Sequence, residues 1–105
     1  MIKGKKMVVK IRDYTKDDTA MSYEDGQKCL KDILMVIDKE DVILDFADIN
    51  YVITAFLNPV IGDLILQKGI DVMKKIGIKN ATESTIKKIK RVKDGTLLKR
   101  EDMQE

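Results

Sequence analysis

The chain has 105 residues, 44% apolar and 36% charged, with a net charge of +2 at neutral pH. That length suits one domain whose core needs no disulfide or metal, and so small a charge sets up no overall field for nucleic acid or a membrane. There is no histidine, the commonest general base and metal ligand, and the single cysteine, Cys29, excludes an intrachain disulfide and a thiolate-rich zinc site and fits a reducing compartment.

Residues 7–11, Met-Val-Val-Lys-Ile, are apolar and β-branched and predict a first strand. Residues 14–21 are polar, lack periodicity and read as a loop. Ser22 has the chemistry of a helix N-cap, and Glu24 and Asp25 suit the positive end of a helix dipole. Leu30, Ile33, Leu34 and Ile37 repeat at helical spacing, so a first helix is predicted over 23–39, weakened at Gly26. Residues 42–46, Val-Ile-Leu-Asp-Phe, form a nearly continuous apolar run, which suits a strand covered on both faces. A connection over 47–55 follows. Asn58 as N-cap and Pro59 at the first helical position predict a second helix, with Leu57, Ile61, Leu64 and Ile65 inward and Gly69 as its stop. Residues 70–75 suit a short helical turn. Residues 76–79, Ile-Gly-Ile-Lys, alternate as a third strand that Asn80 ends. Thr82 or Ser84 caps a last helix with Ile86, Ile89 and Val92 as its stripe and Gly95 as its end. The expectation is one domain over residues 1–105, with frayed ends at 1–6 and 99–105.

Alternation of strand and helix implies an α/β domain with a small mixed or mostly parallel sheet and about three main helices. No stretch approaches the roughly 20 apolar residues that span a bilayer. The apolar run after the basic start is only Met7 to Val9, too short for a signal-peptide core. A cytoplasmic, non-enzymatic protein without a cofactor is expected. Gly4-Lys5-Lys6 echoes a nucleotide-binding loop only superficially.

The central segment runs Val42-Ile43-Leu44-Asp45-Phe46-Ala47-Asp48-Ile49, and Thr54-Ala55-Phe56-Leu57 then precedes an apolar helix. Further on, Ile76-Gly77-Ile78-Lys79-Asn80 leads into a lysine-rich helix. From about Met7 to Leu98 the chain resembles the STAS-like family, small relatives of the STAS domains of anti-sigma-factor antagonists and sulphate transporters. The resemblance implies a regulatory domain that binds a protein partner, with an ATP-binding kinase-like or other signalling protein as the natural class. STAS antagonists carry an Asp-Ser-Ser-Gly-type loop that a kinase phosphorylates. Here Ile53 stands in place of the aspartate and Ala55 in place of the phosphorylated serine. Thr54 is the one hydroxyl left, and hence the candidate phosphoacceptor.

The leading reading is partner binding through the loop 49–55 and the helix start 58–61, with Asp48, Asn50, Tyr51, Thr54 and Asn58 as contact residues. Plainer roles stand beside it. Asp48 and Asn50 can shape a turn, Asp45 can pair backbone N–H groups at a strand end, and Tyr51 and Phe56 can be core or edge aromatics. The second reading is a nucleic-acid-associated protein using Lys87, Lys88, Lys90, Arg91 and Lys93. These residues also suit the solvated side of a helix, and Asp94 dilutes them. A third is self-association through an exposed strand edge. Cys29, beside the core stripe with no histidine to activate it, reads as an inert buried thiol.

Overall fold

A computed structural model describes the backbone of residues 6–103 and the side chains of residues 6–98. In chain order the elements are β1 (Lys6–Lys10), β2 (Thr19–Ala20), α1 (Tyr23–Val36), β3 (Asp41–Asp45), β4 (Tyr51–Val52), α2 (Thr54–Leu57), α3 (Leu64–Lys68), β5 (Ile76–Lys79) and α4 (Glu83–Met103). A π-helical turn, Asn58–Asp63, joins α2 to α3, and 3-10 turns occupy Ile11–Tyr14 and Ile70–Lys75. The first and third strands and the short turn at 70–75 thus form as the patterns predict.

Strands β1, β3 and β5 make a parallel sheet with β3 at its centre. Register sets Val9 beside Leu44 and Leu44 beside Ile78. Strand side chains alternate, so Val9, Val42 and Leu44 point to the helices and are buried. The opposite face carries Val8, Ile43 and Gly77, with Val8 43% exposed. The expectation that β3 is covered on both faces is therefore corrected. Among the described residues, burial marks one side of the sheet as the helix-covered one, and Ile43 on the other is only half-buried.

Helix α1 opens as expected, with Ser22 Oγ accepting the Asp25 N–H at 2.9 Å. It ends at Val36 and closes through a turn, the Glu40 N–H reaching the Val36 carbonyl. The second helix departs from the prediction. It begins at Thr54, with Ile53 in the N-cap place and no side chain capping it, while Asn58 has helical dihedrals. Burial decides this over local capping chemistry, because Phe56 and Leu57 are both 0% exposed and must point into the core from within the helix. Pro59 then falls inside a helix, where its ring crowds the carbonyl four residues back and no N–H is available. The wider π turn absorbs that conflict. Gly69 stops α3 with φ of +88°, as its position predicts.

Thr82, the first of the two candidate caps, accepts the Thr85 N–H at the start of α4. Gly95 does not end α4, which runs on to Met103. Its inward stripe also differs: Thr85, Ile89, Val92 and Thr96 are buried, whereas Ile86 is 51% exposed. Thr96 can face inward because its hydroxyl donates to the Val92 carbonyl at 2.8 Å. Of the ends expected to fray, Lys6 belongs to β1 and 99–103 are helical. Residues 1–5 and 104–105 lie outside the described residues.

Candidate protein-docking site

A two-stranded parallel sheet, hidden in segments that read as loops, organises the candidate site. Thr19 pairs with Tyr51 and Ala20 with Val52. The Asn50 N–H donates to the Asp18 carbonyl and the Ile53 N–H to the Ala20 carbonyl, which extends the pairing at both ends. Ala20 and Val52 point inward and are buried. Their neighbours Met21 and Tyr51 are 54% and 53% exposed. The result is a solvent-facing patch on a fixed floor, with polar side chains such as Lys16, Asp17 and Glu24 around Met21.

The five predicted contact residues share this region unequally. Tyr51 is the most prominent. Lys88 of α4 stands 4.2 Å above its ring centroid and donates to the Val52 carbonyl at 2.8 Å, so the ring is held by a cation–π contact and a tethered backbone. Asn50 is exposed and its amide donates to Asp18 Oδ2 at 2.6 Å. Asp48 is exposed with φ of +64° and shapes the turn, as its plainer reading has it. Thr54 is half-buried in the first turn of α2. Asn58 is exposed one turn further on, but Pro59, Val60 and Ile61 beside it are buried, so the proposed surface at 58–61 reduces to Asn58. Phe56 belongs to the core. Met21 and Lys88 reach the patch only through the fold. Their spacing from Tyr51 gives no local signal, though Lys88 is one of the basic residues noted above.

That contact divides the basic helix. Lys88 turns toward β4, Lys93 is half-buried, and Lys87, Lys90 and Arg91 remain exposed beside Asp94. The five cations therefore do not form one continuous face.

Asp45 ends β3 nearly buried, with Oδ1 accepting from Asn80 Nδ2 and from the Ala47 N–H, each at 2.9 Å. The Asn80 bond, then the Ala47 bond, hold its carboxyl below the usual carboxylate range, and Lys79 and Lys10 add to this. Asn80 supplies its amide from a left-handed backbone, φ +59°. The acid thus bolts the end of β3 to the end of β5. Cys29 is fully buried, and burial pushes its thiol up to about 12, with Asp32 adding. Tyr14 donates to Asp32 at 2.5 Å, and burial raises its phenol with that bond adding. A thiol so held is protonated and unreactive at neutral pH.

The sequence profile of the STAS-like domain of unknown function (DUF4325) matches residues 25–85. The chain belongs to that family. No curated protein and no solved structure matches it. The matched stretch runs from α1 to the first turn of α4, so this STAS-like domain includes β4, Thr54 and the π turn, with β1 and β2 before it. Among the described residues no helix is long and apolar enough to cross a membrane, and no cluster of acidic or cysteine side chains is arranged to hold a metal ion.

Proposed function

We propose that this STAS-like domain is a regulatory or adaptor module that works by binding a protein partner and not by catalysis. The contact surface is the exposed side of β2 and β4 with the first turns of the following helix. The observation that carries this reading is the pair Met21 and Tyr51, solvent-facing on the buried floor of Ala20 and Val52. Tyrosine brings a large, rigid contact area with a polar tip, and methionine adapts to the shape it meets. Asp48, Asn50 and Asn58 supply a polar rim of the kind that surrounds such anchors.

Thr54 fits as a point of control. A phosphate there would stand in the first helical turn, where backbone N–H groups and the dipole favour negative charge. By family resemblance the partner is an ATP-binding kinase-like or other signalling protein, and the single cysteine, Cys29, fits a cytoplasmic setting.

The test is affinity capture from the source cell's lysate with three parallel baits: wild type, Tyr51→Ser and Thr54→Glu. Wild type is expected to retain a protein that Tyr51→Ser binds roughly 30-fold more weakly, about 2 kcal/mol, as for a central aromatic anchor. Thr54→Glu is expected to alter the same capture. Equal recovery on all three baits would remove this surface from consideration.

A further inference from the structure

An all-parallel sheet is almost always covered on both faces, because its crossover helices pack on both sides. Among the described residues, the β1–β3–β5 sheet buries only the face that carries Val9, Val42 and Leu44. On the other, register aligns Val8, Ile43 and Gly77 in one row. Val8 and Gly77 are open to solvent and Ile43 is half-buried, although it lies in the central strand. The chain's own packing does not demand a glycine at 77, since a Cβ there would stand 3.6 Å from Ile43 Cγ1, an ordinary contact. The missing side chain leaves a trough of about 290 Å³ floored by Ile43 and Gly77 and rimmed by Lys6, Lys74 and Lys79.

The charges around this floor narrow what can lie on it. Lys6 stands beside Asp41 at one end, and Lys10, Asp45 and Lys79 stand in register at the other. Asp45 is already held by Asn80 and Ala47. Lys74 meets Asp71 only at 3.8 Å with both side chains well exposed, a pairing of little energy. The rim is therefore positive. A second copy stacked face to face fits poorly. With β1 over β1 in opposite directions, Lys6 meets Lys10, and with β1 over β5 in the same direction, Lys10 meets Lys79.

We infer that the open face of the β1–β3–β5 sheet docks an amphipathic helix of a partner protein, its apolar stripe flanked by acidic residues. The stripe lies on Val8 and Ile43 and comes close over Gly77. Flanking carboxylates meet Lys6, Lys10 and Lys79. The partner thus supplies the second layer that a parallel sheet lacks. This surface shares no residue with the one around Tyr51, so either can fail alone.

The test is an NMR titration of the isotope-labelled full chain with an acetylated amphipathic peptide of ~18 residues, long enough to be helical, with leucines flanked by glutamates. A matched peptide carries lysine in place of glutamate. The acidic peptide is expected to shift the amides of Val8, Lys10, Ile43, Gly77 and Lys79, and the basic one to leave them unmoved. Val8→Glu and Lys79→Glu, both at exposed positions and each checked by its thermal melt, are expected to weaken binding at least ~10-fold. No shift at ~1 mM peptide, shifts confined to other residues, or equal binding of the two peptides would overturn the inference. So would dimerisation in sedimentation that Val8→Glu abolishes, or displacement of the peptide by anionic vesicles or duplex DNA, because each assigns the face to a different occupant.

Discussion

A β-carbon at Gly26 would stand 2.4 Å from the Phe56 carbonyl oxygen and 2.6 Å from Pro59 Cγ. Taken from α1 alone, glycine is a weakness, since alanine is better by about 1 kcal/mol inside a helix. The tertiary structure reverses that preference, because the backbone of α1 approaches that of α2 too closely for any side chain. Gly26→Ala is therefore expected to lower stability by about 1–3 kcal/mol, the usual cost of overpacking, and urea unfolding measures it. Asp45 gives a prediction in pH. Its carboxyl titrates lower in the folded chain than in the unfolded one, so the unfolded state binds more protons in acid. The stabilisation is fully present above the ordinary carboxylate value of about 4 and is lost as pH falls through the folded value. Melting temperatures across the acid range are expected to fall less steeply for Asp45→Asn than for wild type. Parallel curves would contradict the account of this residue.

At the scale of elements, the sequence was most legible where a pattern runs long. The stripe Leu30, Ile33, Ile37 and the cap at Ser22 define α1 from its first residue. The apolar run at 42–46 and the alternation at 76–79 mark β3 and β5 to within a residue. Strands β2 and β4 have two residues each, too few to show a period. They exist because distant segments pair, and the candidate site stands on them. The helix start differs from the sequence pattern for another reason. Asn58-Pro59 is sound local chemistry for a beginning, but the burial of Phe56 and Leu57 outweighs it, and the π turn absorbs the proline. Gly95 follows the same logic in reverse. It resembles a stop, yet the buried Thr96 beyond it keeps α4 going. No atom of a neighbouring element lies within 4 Å of a Cβ placed there, so Gly95→Ala is expected to raise stability by about 0.5–1 kcal/mol. The thermal melt reads this directly, and a loss of stability would mean that α4 does not run through residue 95.

At the scale of the molecule, the described residues form one helical layer against one face of a small sheet, and we propose two surfaces on it for protein partners. The first gathers Met21 from the segment before α1, Tyr51 from β4 and Lys88 from α4. Asn50, Tyr51 and Thr54 are named from the sequence as members of one loop, 49–55. Met21 carries no such local signal, since its place depends on the pairing of β2 with β4. The most direct measurement of the central claim is photo-crosslinking in the source cell's lysate, with a benzophenone side chain placed at residue 21 or at residue 35. Met35 is also exposed, but it lies on α1 away from the patch. The account predicts a cross-linked protein from position 21, absent when Tyr51 is also changed to serine, and none from position 35. Equal products from both positions, or none from position 21, would contradict it.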